Sequence, residues 1–123
     1  MASVTSYRDL VVWQRSMELA QSIYSLTGAF PKQEEYRLTS QMIRAAISIP
    51  ANIAEGYMRS TRKDYGNFIS TARGSAAELE TFLILTGRMK FAPREAVAAA
   101  LKQTEEISRM LNTLRRKLAS PKT

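Results

Sequence analysis

The stretch LTSQMIRAAISIPANIAEGYMR, from Leu38 to Arg59, sets the pattern for the whole chain. At about 100° per residue, its apolar side chains form one face of a helix. The centre of that face is a stripe formed by Leu38, Met42, Ala45, Ile49 and Ile53, and it is widened by Ile43, Ala46, Pro50, Ala54 and Tyr57. The widened arc spans roughly 200°, about twice what a surface helix needs to face one core. We therefore expect this helix to make contacts on two sides, with its own bundle and with another subunit.

Pro50 interrupts the hydrogen bonding of this predicted helix. It has no N–H to donate to the carbonyl of Ala46, and its ring clashes with that carbonyl. The residue before it, Ile49, is biased away from the helical conformation. We predict a kink at Pro50, or two helices end to end, with Ser48 or Asn52 bonding the freed groups. The alternative interpretation is a proline that is tolerated in a solvated helix.

The same periodicity predicts three further helices. Together the four helices span about residues 9–27, 34–58, 62–88 and 93–118. Thr61, followed by Asp64 three residues later, resembles a capping box at the start of the third helix. Pro93 suits the first position of the fourth helix. Short turns and the absence of strand signals predict an all-α fold, an antiparallel up-down four-helix bundle with a proline-kinked second helix, formed by residues 1–123 as a single domain.

Composition narrows the functional classes. The 123 residues include no cysteine, which excludes disulfides and thiolate chemistry, and no histidine, which removes the commonest general base and imidazole ligand. RNA-cutting helical bundles that use an Arg and His pair are therefore disfavoured. The sequence also shows no phosphate-binding loop, nucleophile elbow or zinc spacing. We expect a protein that is not an enzyme and has no cofactor or metal. Without a signal-peptide or membrane-spanning pattern, we expect it in the cytoplasm with no membrane partner.

Charge points to an acidic partner. The formal charge is +7, from 18 Lys and Arg against 11 Asp and Glu, and nucleic acid is the first candidate for such a protein. The predicted topology gathers basic residues at one end of the bundle, here called the basic pole, which comprises Arg8, Arg59, Arg62, Lys63, Arg115, Arg116, Lys117 and Lys122. The acidic residues at the same end are Asp9, Glu55 and Asp64. The opposite pole mixes Lys32, Arg37, Arg88, Lys90 and Arg94 with Glu34, Glu35 and Glu95. We therefore predict nucleic-acid contacts at Arg59, Arg62, Lys63, Arg115, Arg116 and Lys117.

Several segments of the chain resemble one family. SQMIRAAISIPANIAEGYMR, followed by ISTARGSAAELE from Ile69, is similar to the four-helix-bundle family of 23S ribosomal RNA intervening-sequence proteins. DLVVWQRSMELAQSIYSLT and the Phe30-Pro31 pair fit the same family, and the resemblance runs from about Tyr7 to Leu118. This family is related to the accessory variability protein of diversity-generating retroelements, a basic ring of five bundles that binds nucleic acid and a reverse transcriptase. The resemblance therefore implies a homopentamer, with RNA or DNA and a reverse transcriptase or another protein as partners.

A polar motif lies within the resembling segments. It comprises Asn52, Glu55, Arg73 and Glu78, with Ser48 on the same polar stripe of the second helix as Asn52 and Glu55. One interpretation is a site for a ligand or partner. The interpretation we favour is structural, a polar network that fixes helix register or a subunit interface, in which Arg73 is available to pair a carboxylate. Tyr57, close to Arg59 and Arg62, is an additional candidate for stacking on a nucleic-acid base.

The sequence leaves more than one function open. The first hypothesis is a non-enzymatic, oligomeric nucleic-acid-binding or ribonucleoprotein accessory protein that contacts phosphates through the basic pole. The rival is an oligomeric scaffold or adaptor for a protein partner, which includes a partner in a toxin–antitoxin pair.

Overall fold

Four helices account for most of the described chain. The computed structural model describes residues 3–120. They form α1 (Val11–Thr27), α2 (Ser40–Tyr57), α3 (Arg62–Met89) and α4 (Arg94–Ala119), and no strand occurs in this range. The predicted all-α four-helix bundle is confirmed. The up-down order of the helices and a bend at Pro50 stay predictions.

Side-chain caps start the short turn before α1 and the third helix. A short 3-10 turn, Tyr7–Asp9, precedes α1 and is closed by a capping box between Ser6 and Asp9. The first helix was predicted to start near residue 9, but Leu10 is extended and separates this turn from α1. The hydroxyl of Thr61 accepts a hydrogen bond from the N–H of Asp64 at 3.1 Å, which starts α3. Pro93 takes the position immediately before α4 rather than its first residue.

The start of the second helix differs from its predicted position near residue 34. Residues Lys32–Glu34 form a 3-10 turn and Glu35–Thr39 a π-type turn, so that regular α-helix begins only at Ser40. Arg37 has non-helical angles, φ −113° and ψ −110°. The carboxylate of Glu34 accepts a hydrogen bond from the N–H of Leu38, and this local bond holds the wider turn in place of a helical one. From Ser40, α2 runs through Pro50 to Tyr57 as one assigned helix.

The predicted stripe of α2 forms the centre of the core. Met42, Ala45, Ile49 and Ile53 are at most 2% exposed, and Leu38 is 8% exposed. They pack in one cluster with buried residues of the other three helices, including Leu19, Ile23, Ile69, Leu79, Leu83, Ile107 and Leu111. Burial of each large apolar side chain contributes about 1.5–3 kcal/mol, so this cluster is the main source of stability.

The contacts between helices define which parts of the chain meet. The hydroxyls of Ser48 and Ser75 are 2.8 Å apart across α2 and α3, while Met42 near the start of α2 contacts Thr86 near the end of α3. Arg62 at the start of α3 reaches Lys117 at the end of α4. An ion pair between Arg15 and Glu106 joins α1 to α4. The beginning of α3 and the end of α4 therefore lie together at one end of the bundle.

Gly56 allows the closest approach of α2 to α3. A Cβ atom placed on Gly56 would lie 2.8 Å from the Cβ of Phe68 and 3.0 Å from the Cδ1 of Tyr65. No glycine inside α3 marks a contact as close. A Cβ on Gly74 would meet nothing within 4 Å, and one on Gly66 would make only an ordinary contact with Leu118.

Candidate nucleic-acid interface at one end of the bundle

Two arginines of the basic pole are tied to neighbouring helices by hydrogen bonds. A terminal nitrogen of Arg62 donates to the carbonyl oxygen of Lys117. The Nε of Arg115 donates to the hydroxyl of Ser70. Each bond crosses between α3 and α4, so the structure brings together the predicted residues of these two helices.

These residues border a small open cleft, here called the α3–α4 cleft. It is lined by Arg62, Lys63, Gly66, Asn67, Arg115, Leu118 and Ala119, and its volume is about 140 Å³. One side is cationic, while Gly66 and the aliphatic side chains leave space between the two helices. A water molecule needs only about 10–15 Å³ by a comparable measure, so the cleft has room for a polyatomic anion.

Arg59 differs from the other predicted contacts because its charge is already paired with a carboxylate. A terminal nitrogen lies 2.8 Å from a carboxylate oxygen of Glu55, one helical turn earlier. The guanidinium also lies 4.6 Å from the ring centre of Phe68, at cation–π distance. Both charges are about half exposed, so the pair adds little stability, but Glu55 offsets the positive charge that Arg59 presents.

Within residues 3–120, the other basic side chains of the basic pole carry no ion pair. The salt bridges within residues 3–120 are Arg15–Glu106, Arg37–Glu34 and Arg59–Glu55. Lys63, Arg116 and Lys117 are exposed. Arg8 is also exposed, with its guanidinium 5.6 Å from the ring of Tyr7, and Lys122 lies outside the described residues. Most of the positive charge at this pole is therefore open to an external anion.

Only part of the predicted polar motif is joined by hydrogen bonds. Asn52 donates to the carbonyl of Ser48 at 2.8 Å and lies 3.0 Å from its hydroxyl, which in turn bonds Ser75. Ser75 is buried on α3 and was missed from the sequence, although its spacing from Ala72, Ala76 and Leu79 placed it beside the core face. The network links α2 to α3, as a structural interpretation requires.

The remaining members of that motif lie elsewhere. Arg73 and Glu78 are exposed on α3, and neither takes part in a salt bridge within residues 3–120. Glu55 is engaged with Arg59 instead of Arg73. Arg73 has no salt bridge within the described chain, and because the carboxylates of Glu55 and Glu78 are exposed, the motif contains no buried charge for it to neutralise.

Tyr57 packs against a second tyrosine. The rings of Tyr57 and Tyr65 meet edge to face with their centres 6.0 Å apart. Burial, followed by the proximity of Tyr57, raises the pKa of Tyr65, so its hydroxyl stays neutral at physiological pH. Tyr57 is itself half-buried, and one part of its ring is occupied by this contact rather than free to stack on a base.

Two other kinds of feature are absent from the described part of the chain. Within residues 3–120, no group of three or more side chains of the metal-binding acidic, histidine or cysteine types comes together. Among the helices of the described range, none combines the length and apolarity needed to cross a bilayer. The α3–α4 cleft is lined by three cationic side chains and no acidic one.

Comparison with known proteins places the chain in a sequence and structural context. The profile of the family described as 23S rRNA-intervening sequence protein matches residues 8–113. No curated protein matches the chain. The fold is similar to the crystal structure of a protein with unknown function from the S23 ribosomal protein family of Bacteroides thetaiotaomicron VPI-5482. The TM-score is 0.78 and the sequences are 29% identical, over 86% of this chain and 99% of the other.

Proposed function

Because this chain belongs to the 23S rRNA-intervening sequence protein family, we propose that it is an oligomeric, non-enzymatic protein that binds nucleic acid. The basic pole makes the contacts, and the ligand is RNA or DNA bound through its phosphates. As a ribonucleoprotein accessory, the protein acts by holding nucleic acid for a partner, such as a reverse transcriptase or another protein.

The observation that carries this proposal is the unbalanced charge of one end of the bundle. Arg62, Lys63, Arg115, Arg116 and Lys117 lie near the start of α3 and the end of α4, and none forms a salt bridge within residues 3–120. Repulsion between such charges opposes folding slightly, and a polyanion would relieve it. The family description adds RNA as the first ligand to test.

The experiment removes the charge without disturbing the core. Arg62, Lys63, Arg115 and Arg116 are replaced together by glutamine, and all four are exposed. Binding of a fluorescein-labelled RNA hairpin is followed by anisotropy over a range of salt concentrations. The unmodified protein should show a steep salt dependence, with a log–log slope of about −0.9 per phosphate on a duplex and about −0.7 on a single strand. The variant should bind much more weakly, with a flatter slope.

The matched control removes the same charge from the opposite pole. Lys32, Arg88, Lys90 and Arg94 are replaced by glutamine, and each is also exposed. If net charge alone governed binding, both variants would lose the same affinity. Failure of the unmodified protein to bind at low salt would reject the proposal, and equal binding by the two variants would reject the basic pole as its site.

The second candidate function is a scaffold or adaptor for a protein partner, including a partner in a toxin–antitoxin pair. It is favoured by apolar side chains that face solvent in the isolated chain, with Ile47 44% and Met58 71% exposed on α2. Replacing Ile47 and Met58 by serine should abolish recruitment of such a partner and leave RNA binding unchanged. Under the nucleic-acid proposal, the quadruple glutamine variant should lose more of the ligand that copurifies with the protein than the Ile47 and Met58 variant does.

A further inference from the structure

The α3–α4 cleft is the part of the basic pole that has a fixed shape. Its two arginines are held before any ligand arrives, Arg62 by the carbonyl of Lys117 and Arg115 by the hydroxyl of Ser70. A guanidinium has five N–H donors, so one bond to the protein leaves most of them available. Because the side chains are already oriented, they lose less conformational freedom on binding than mobile surface cations do.

The space between these arginines suits a small anion. Gly66 lines the cleft without a side chain, and a Cβ placed there would make an ordinary contact, 3.8 Å from the Cβ of Leu118, so a longer side chain at this position would enter the cleft. The amide of Asn67 and the ammonium of Lys63 also line the cleft. A tetrahedral oxyanion can therefore meet planar guanidinium donors and an amide donor in one place, an arrangement that favours bidentate hydrogen bonds.

The two helix ends have opposing effects on an anion in the cleft. The first turn of α3 carries the positive end of its dipole, which is favourable, whereas the last turn of α4 carries a negative end. Arg62 covers the carbonyl of Lys117 at that negative end and offsets its effect. No salt bridge involves Arg62, Lys63 or Arg115 within residues 3–120, so the positive charge prevails.

We propose that the α3–α4 cleft binds a single phosphate group of a nucleic-acid backbone. Arg62 and Arg115 donate hydrogen bonds to its oxygens, and Lys63 adds a point charge. The proposal rests on the proposed function and divides its site into two parts, one oriented phosphate position and the diffuse charge of Arg116 and Lys117 beside it. Two properties follow: filling the cleft weakens binding even when every cation is kept, and lysine does not replace arginine within it.

The first experiment fills the cleft with a side chain. Gly66→Met adds volume at the open wall, retains all charges and favours helix more than glycine does. Gly74→Met is the matched control, since it makes the same change on an exposed part of the same helix with nothing within 4 Å of the new Cβ. Affinity for a labelled RNA hairpin at low salt should fall at least about tenfold for Gly66→Met, as for loss of a charged hydrogen bond. Gly74→Met should bind as the unmodified protein does.

The second experiment keeps the charge and removes the guanidinium. Arg115→Lys cannot provide the forked donors that Ser70 orients in the native protein. Arg88→Lys, at the opposite pole, is its control. Both variants keep the net charge of the protein. If the cleft holds a phosphate, only Arg115→Lys should bind RNA more weakly, whereas a diffuse cationic surface predicts equal binding by both variants.

The outcomes separate this inference from the proposed function. If RNA binding is strong and salt-dependent but both cleft variants match their controls, the phosphate position is wrong and the proposed function stands. If the unmodified protein binds no nucleic acid, the proposed function fails. Inorganic phosphate is then titrated while the amide resonances of Gly66 and Asn67 are followed. Resonance shifts confined to the cleft would mean that the ligand is free phosphate and not a phosphate of nucleic acid. The absence of shifts would overturn the phosphate site itself.

Discussion

Single residues decide how closely the helices approach at the basic pole. Gly56 lies against Phe68 and Tyr65, and its neighbours leave no room for a methyl group. Glycine at this position is explained by the contact with α3. The sequence could not identify this role because the contact depends on which faces of two helices meet.

We expect Gly56→Ala to destabilise the bundle. The added methyl group would overlap Phe68 and approach the carbonyl oxygen of Tyr65 at 3.3 Å, and forcing such a group into a packed interface costs about 1–3 kcal/mol. Gly74→Ala, at an open position of α3, should instead stabilise by about 0.5–1 kcal/mol through helix propensity. Urea denaturation monitored by circular dichroism measures both changes. If Gly56→Ala left the free energy of unfolding unchanged, α2 and α3 would be able to move apart at this position with little loss of stability.

The candidate site was predictable where charge alone defined it. The ends of α3 and α4 follow from apolar periodicity, and these ends bring Arg62, Lys63 and Arg115 to one cleft. The bonds that orient the arginines were not predictable, because Ser70 and the carbonyl of Lys117 become partners only through tertiary packing. The partners of Arg59 and the isolation of Arg73 depend on side-chain direction and were missed for the same reason.

At the scale of elements, the central stripe of α2 was fully predictable and its beginning was not. A repeat of apolar residues fixes the buried face, and its members are buried as expected. The 3-10 and π-type turns between Lys32 and Thr39 depend on one side-chain bond and on the backbone of Arg37, neither of which leaves a periodic signal.

Pro50 offers a test of what α2 tolerates. Pro50 is buried within α2, so its replacement by alanine restores one N–H while removing apolar ring atoms from the interior. Proline inside a helix is about 3 kcal/mol less favourable than alanine, and two lost methylene groups offset about 1.6 kcal/mol of this gain. We expect Pro50→Ala to retain helix content and to melt at a higher temperature. If neither melting temperature nor oligomeric mass changes, the proline is simply tolerated.

At the scale of the whole molecule, large apolar side chains on both α2 and α3 face solvent in the isolated chain. Ile84 and Leu85 on α3 are 45% and 43% exposed, in addition to the exposed residues of α2. A ring requires two different patches on each subunit, because each subunit meets its neighbours through unlike faces. We predict a homopentamer, with a light-scattering mass about five times that of one chain. A monomeric mass at micromolar concentration would contradict this prediction.

The net charge of the whole molecule should change little with pH near neutrality, since the sequence has neither histidine nor cysteine. Hydrogen bonds from the backbone and hydroxyl of Thr5, and from the backbone of Ser6, lower the pKa of the exposed Asp9. Stabilisation by Asp9 is therefore present above its unfolded pKa, about 3.9, and is lost as pH falls through its lower folded value.

The raised pKa values of two tyrosines affect the stability of the fold only at alkaline pH. Hydrogen bonding and charge from Glu35 raise the pKa of Tyr36, and burial raises that of Tyr65. Their contributions are present below an unfolded pKa of about 10 and are lost only as pH rises through the folded values. RNA affinity and melting temperature should both stay constant from about pH 6 to 8. A titration in either quantity over this range would contradict the prediction.

The close contact at Gly56 also has a kinetic consequence. It joins α2 to α3 beside the turn between them, whereas Ser48 and Ser75 meet across 27 residues of chain. Closing a short loop loses less entropy, so this hairpin should close at Gly56 first and zip toward Ser48. In stopped-flow experiments, Gly56→Ala should chiefly slow refolding and Ser75→Ala should chiefly speed unfolding. The turn that presents Arg59 to Lys63 would then be the first tertiary structure that a refolding chain acquires.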